Sequence, residues 1–245
     1  MKVLIVYAHP EPKSFNGAMR DLAVSVLEGK GHTVQVSDLY AMKFKAVPDQ
    51  KDFIKLGNPD YFKLGPEQQY AQEHDLYTED IKTEQQKLLW ANFVLFQFPV
   101  NWFSMPALLK GWVDRIFGLG FVYGGGKWYD TGGLKGRKAM LSMTTGGPAS
   151  FYGSRGRNGD MELLLWPIQN GILKFAGFDV LPPFVAWGVA HVSEEQRKKY
   201  LEEFRQRLLT LDSTPPLFFH PSGDYDENFV LRKGIEPGTR FQSIQ

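Results

Sequence analysis

Two apolar runs constrain this chain more than anything else in it. Lys2 to Ala8 (KVLIVYA) and Phe93 to Phe98 (FVLFQF) are apolar at successive positions rather than alternate ones. A strand without a polar side has no face to give to water, so both runs read as strands buried on both faces, the pattern of a parallel sheet. The second run breaks at Pro99, leaves Asn101, Trp102 and Phe103 in a short loop, and restarts as a helix near Pro106. Open α/β sheets bind ligands at the carboxyl ends of their strands, and two aromatics beside an amide at such an end suit a flat cofactor ring. Taken alone, the same loop fits aromatics that plug the core equally well.

The remaining segments alternate between the two periodicities. Ser14 opens a helix running to about Lys30, with Met19, Leu22, Ala23, Val26 and Leu27 on one face and Gly31 as its stop. Thr33 to Asp38 alternates as a second strand, and Glu79 to Trp90 and Met105 to Phe117 read as helices around the third. Lys138 to Met143 is a fourth strand, Asp160 to Ala176 a largely apolar helix, and Asp179 to Trp187 a fifth strand bent at Pro182-Pro183. Ser193 to Leu211 is an amphipathic helix that opens on a capping-box pattern. Asp49 to Tyr77 is a polar insertion with one or two short helices, and Gly118 to Gly136 a long glycine-rich loop. Such alternation implies a doubly wound α/β fold, a five-stranded parallel sheet with right-handed crossovers and helices on both faces. The expected strand order is 2-1-3-4-5, with the ligand at the switch between strands 1 and 3. Residues 1–211 form the expected catalytic domain, and 212–245 a short extension packed on that domain or on a partner subunit.

Composition removes several functions. A formal net charge of +1 gives no case for a nucleic-acid partner or an anionic membrane. No apolar run approaches membrane-spanning length. With no cysteine there is no disulfide, thiolate nucleophile or cysteine-based metal site, and the cytoplasm is the expected compartment. Aromatics at 14% fit a flat-ligand pocket or a plain core.

The assumed order makes three loops neighbours. In HPEPKSFN, the start of the first helix offers free N–H groups and a positive dipole end to a phosphate, with side chains of His9, Lys13, Ser14 and Asn16 nearby; a plain N-cap is the commoner role for a serine such as Ser14. The loop has no glycine, so it is neither a Walker loop nor a dinucleotide fingerprint. Pro99 to Phe103 supplies the aromatics. Thr144-Thr145-Gly146-Gly147 lets a backbone approach a ligand closely. Phosphate donors, a flat wall and N–H donors for a pyrimidine edge are what a flavin needs.

The segments FQFPVNWFSMPALLKGWVDRIF, LSMTTGGPASFY and GDMELLLWPIQNGILKFAGF, with the opening VYAHPEPKSFNGAM, resemble the NAD(P)H:quinone oxidoreductases of the DT-diaphorase type over roughly Met1 to His220. The resemblance implies a flavodoxin-like fold, a homodimer with the flavin near its interface, FAD in preference to FMN, NADPH or NADH as co-substrate, and ping-pong hydride transfer to a quinone. The cofactor contacts it implies are His9, Ser14, Phe15, Asn16, Pro99, Val100, Asn101, Trp102, Phe103, Thr144, Thr145, Gly146, Gly147, Tyr152, Arg197 and Leu201. Tyr123, Trp128 and Phe151 fall at the substrate pocket.

The departures from that pattern matter as much. The family pairs a tyrosine with a histidine as a proton and charge relay; Tyr152 is present, but Asn158 holds the histidine position, and an amide cannot trade a proton at neutral pH. Gly125 and Trp128 alter the pocket rim. Asn170 and Lys174 stand where a sister branch has metal ligands, so no metal is expected. Two related readings stay open: an azo- or nitro-type flavin reductase, and a flavin-binding regulatory subunit of an ion-efflux system. An electron carrier is disfavoured by the near-neutral charge.

Overall fold

The computed structural model describes residues 1–238. The strand Lys2–Tyr7 (β1) pairs in parallel with Thr33–Asp38 (β2) on one side and Phe93–Pro99 (β3) on the other. β3 pairs with Lys138–Thr144 (β4), and β4 is flanked by two short segments, Asp179–Val180 (β5) and Phe184–Ala186 (β6). The order is β2-β1-β3-β4-β5, as expected, with β6 also on β4. The fifth position is thus filled by two pieces divided at Pro182-Pro183. Proline has no N–H to give a ladder, so two in a row interrupt pairing where the bend was expected.

Every residue from Val3 to Tyr7 and from Phe93 to Phe98 is fully buried. Alternate side chains serve opposite faces. Leu4, Val6, Val94 and Phe96 pack with Ile81 and Leu88 of Glu79–Trp90 (α3), Trp112 of Ala107–Ile116 (α4) and Leu165 of Met161–Ile168 (α5). Val3, Ile5, Phe93 and Leu95 pack with Met19, Ala23 and Leu27 of Phe15–Gly29 (α1) and Phe204 and Leu208 of Glu194–Leu209 (α6). Each large side chain so buried contributes about 1.5–3 kcal/mol, which fixes the register of both central strands.

The first turn of α1 is held from two sides. Ser14 Oγ accepts from the Gly17 amide at 3.1 Å as an N-cap. A Cβ on Gly17 would lie 1.9 Å from the Pro12 carbonyl oxygen, so only glycine lets the preceding loop pack down on the helix. The polar insertion supplies one α-helix, Leu64–His74, and a 3₁₀ turn. The expected apolar helix over 160–176 is not uniform: α5 gives way to a π-helical turn, Gln169–Lys174. Pro167 lies just upstream, lacks an N–H and crowds the carbonyl four residues back. The Phe175 amide then reaches the Asn170 carbonyl five residues behind it.

The segment after α6 is better ordered than its composition implies. Leu217 N–H donates to the Val180 carbonyl at 2.7 Å, Phe219 packs on Trp166 at 5.7 Å between ring centres, and Tyr225 and Leu231 form an antiparallel bridge. No helix among the described residues is long and apolar enough to cross a membrane.

Candidate functional site

Tyr7 is level with Gln97, Gln97 with Ser142 and Pro99 with Thr144. The central strands therefore end at one edge, and the loops that follow them meet there. Ala8 N–H donates to the Gln97 carbonyl (3.0 Å), Val100 N–H to the Thr144 carbonyl (2.9 Å) and Thr145 N–H to the Ala186 carbonyl (3.0 Å). A buried side-chain relay runs across the same edge. Gln97 Nε2 donates to Asn16 Oδ1 at 2.8 Å, and Asn16 Nδ2 donates to Thr144 Oγ1 at 2.9 Å. Asn16 thereby ties the head of α1 to the ends of β3 and β4. Gln97 is the member that sequence reasoning missed, although an amide inside FVLFQFP is itself a signal: a buried polar group needs a partner.

At the α1 end, Ser14 Oγ is engaged in capping, while the amides of Phe15 and Asn16 head the helix and have no carbonyl one turn back within it. The Glu11 amide lies 3.0 Å from His9 Nδ1. The Glu11 carbonyl oxygen is also 3.0 Å from Nδ1, so Nδ1 finds a partner in either tautomer, accepting from the amide or donating to the carbonyl, and Nε2 is left to face outward. These groups fit a phosphate.

The loop after β3 is a tight two-residue hairpin. Asn101 and Ser104 exchange both backbone hydrogen bonds at 3.0 Å, and the residues between them, Trp102 and Phe103, have φ of 48° and 64°. Turns of this kind favour Asn-Gly, and each bulky L-residue in that region costs about 1–2 kcal/mol. Trp102 is 95% exposed and Phe103 45%. A strained turn that presents two aromatics to solvent is not a core plug; it fits a surface built to meet something flat.

In the loop after β4, Thr145 Oγ1 donates to the Gly147 carbonyl (2.8 Å) and accepts from the Gly188 amide (3.2 Å). A Cβ on Gly146 would meet open space, whereas one on Gly147 would come within 3.0 Å of Phe151 and 3.3 Å of Tyr152. Tyr152 packs against Trp187, ring centres 5.4 Å apart. Trp187 was not singled out from sequence, because only the folded sheet carries the end of β6 to this loop. Asn158 donates its backbone N–H to the Phe151 carbonyl at 2.9 Å, and Phe151 is 43% exposed. Arg197 Nη1 donates to the Val189 (3.3 Å) and Val192 (2.9 Å) carbonyls, and Val189 N–H donates to the Thr145 carbonyl. Arg197 is thus one residue removed from the threonine–glycine loop. Leu201, one turn on along α6, is half-buried and packs against the core on that face of the sheet.

Tyr123 and Trp128 take their ring partners elsewhere: Tyr123 packs on Phe175 (5.8 Å) and Trp128 on Phe229 (5.2 Å). Burial raises the Tyr123 phenol above its ordinary value. Among the described residues no group of three His, Cys, Asp or Glu side chains is placed to hold a metal ion.

Residues 1–210 match a family described as the flavodoxin-like fold. The chain is 43% identical to NAD(P)H dehydrogenase (quinone) 1 of Cavia porcellus, covering 96% of this chain and 87% of that one. It is 48% identical to ribosyldihydronicotinamide dehydrogenase (quinone) of Rattus norvegicus, covering 90% and 96% respectively. The crystal structure of a candidate quinone reductase from Klebsiella pneumoniae superposes with a TM-score of 0.94 at 42% identity, over 98% of this chain and 96% of that one.

Proposed function

The chain belongs to the flavodoxin-like NAD(P)H dehydrogenases of quinones and is an oxidoreductase; from that premise we propose that it holds FAD and carries out two-electron reduction of quinones to hydroquinones by a ping-pong route. The observation that carries this reading is the exposed, strained Trp102-Phe103 hairpin beside the helix-headed loop of His9 to Asn16 and the open Gly146.

When bound, FAD supplies a relay for a hydride between a dihydronicotinamide and a quinone. The Phe15 and Asn16 amides, with His9, would hold its phosphates. Pro99 to Phe103 would provide a flat wall for it, and Thr144 to Gly147 would offer amide donors, which favour a flavin's reduced state. Arg197 beside Val189 extends the cradle past the phosphates, which favours FAD over FMN. Tyr152 would offer its hydroxyl to the bound substrate, and Asn158 would offer a hydrogen bond where a titratable partner is implied.

We assign the co-substrate as NADH or NADPH, with the rat relative's name adding a dihydronicotinamide riboside to the panel to be tested. A second copy of the chain would cover Trp102 and bring Tyr123 and Trp128 to the pocket, so a homodimer with the site near its interface is part of the proposal, as is a cytoplasmic location.

The test is the visible spectrum of purified protein, then anaerobic NADPH, then a soluble quinone. Bleaching followed by recovered colour supports the reading. A yellow protein that NADPH does not bleach points to a regulatory flavoprotein. Turnover with azo or nitro compounds but not quinones moves the substrate class. Protein that takes up neither FAD nor FMN removes the proposal.

A further inference from the structure

The loop that carries Tyr152 holds two arginines that the fold does not use. Every other arginine among the described residues pairs with a carboxylate or donates to a backbone carbonyl. Arg155 and Arg157 do neither, and both are exposed. A lone charge on a surface is ordinarily just solvated, so their position has to decide the matter.

That position is beside the candidate site. Gly156, between the two, lies against the Phe151 backbone: a Cβ there would fall 2.4 Å from the Phe151 carbonyl oxygen. Gly156 N–H donates to the Gly153 carbonyl at 2.8 Å, and Asn158 N–H to the Phe151 carbonyl at 2.9 Å. The loop is thus folded back on itself, with the arginines on either side of the residue that touches Phe151. The Phe151 ring in turn closes on Gly147, where a Cβ would come within 3.0 Å of it. Two unneutralised cations therefore flank the half-exposed aromatic that borders the threonine–glycine loop. A guanidinium presents its N–H donors in a fork that matches the oxygens of a phosphate, sulfonate or carboxylate. Two of them together raise the local concentration of anions.

We propose that Arg155 and Arg157 form an oxyanion subsite at the rim of the candidate site, so that the site selects molecules carrying an acidic group outside the ring. The inference rests on the proposed placing of a substrate against Tyr152. That oxyanion has two sources: the 2′-phosphate that distinguishes NADPH from NADH, and an acidic substituent on the quinone.

Calorimetry on the flavin-loaded full chain tests the subsite and separates the sources. NADP⁺ and NAD⁺ differ only in the phosphate, 1,4-naphthoquinone-2-sulfonate and 1,4-naphthoquinone only in the sulfonate, and none of the four reduces the oxidised flavin. The expected result is tighter binding of the anionic member of at least one pair, roughly five- to thirtyfold at low salt, the range of one or two exposed ion pairs. The preference should shrink as salt rises. A preference for NADP⁺ assigns the subsite to the co-substrate, and one for the sulfonate assigns it to the acceptor. The double variant Arg155→Gln/Arg157→Gln should erase the preference, with circular dichroism confirming the fold. Lys198→Gln/Lys199→Gln, which removes the same charge from α6, should keep it. Equal affinities within both pairs, a preference that survives loss of the arginines, or one lost equally with the lysines would each overturn the subsite. Failure of the proposed reaction reads differently: absent quinone turnover with the preference intact removes the reaction and leaves the subsite standing.

Discussion

Asn16 and Thr144 are 128 residues apart in sequence and joined by a 2.9 Å hydrogen bond from Nδ2 to Oγ1, with Gln97 donating to the other end of the same amide. One side chain therefore aligns three loops of the candidate site. Among the described residues Gln97 Oε1 has no partner, and besides Asn16 its Nε2 has only the Met19 sulfur, at 3.8 Å. Asn16→Ala strands a buried donor on Gln97 and removes the Thr144 contact. It should lower stability by roughly 2 kcal/mol or more and weaken flavin binding further. Urea unfolding of cofactor-free protein, with the m-value unchanged, checks the first effect; flavin titration checks the second.

The Trp102-Phe103 hairpin places two aromatics at φ of 48° and 64°, so stability and function should separate there. Replacing the pair with Asn-Gly relieves the strain and should stabilise cofactor-free protein by about 1–2 kcal/mol, while flavin affinity and quinone turnover fall. A raised urea midpoint with lost flavin binding is the expected pattern. A lowered midpoint would mean that these rings pack rather than wait for a ligand.

Asn158, tied through its backbone N–H to the residue before Tyr152, stands where the resemblance implies a proton-trading histidine. Asn158→His should raise the rate of flavin reduction by NAD(P)H and introduce a pH dependence near the ordinary histidine range, about 6.5. Stopped-flow absorbance measures both. An unchanged or slower rate would leave Tyr152 and the backbone donors as the whole apparatus.

Arg115, 1% exposed on α4, is held by Asp52 at 3.0 Å and Asp80 at 2.8 Å. Burial alone would push the Asp80 carboxyl up, but the Thr78 hydroxyl and the Arg115 guanidinium outweigh it and hold the group below its ordinary value of 3.8. A depressed carboxylate adds stability that is fully present above that value and is lost as pH falls through the lowered one. Acid unfolding should therefore deepen below about pH 4, and Asp80→Asn should flatten that limb. Asp52→Ala, which strips a fully buried cation of one partner, should cost about 3–5 kcal/mol at neutral pH.

The sequence by itself determined the architecture. Successive apolar residues in Val3 to Tyr7 and Phe93 to Phe98 leave no wet face, a 3.6-residue stripe marks α1, and Pro182-Pro183 stops a ladder. These are local constraints, legible wherever the period is strong. It also located the aromatic turn after β3 and the glycines after β4. What it could not reach depended on register and on distant partners. Gln97 meets Asn16 only because β1 and β3 align Tyr7 with Gln97. Trp187 meets Tyr152 only because β6 bends back onto β4. Phe219 meets Trp166 only because the segment after α6 folds back against α5. The reason is physical: helix and strand periods are written into neighbouring residues, whereas a hydrogen bond between side chains many tens of residues apart exists only once packing has set their distance.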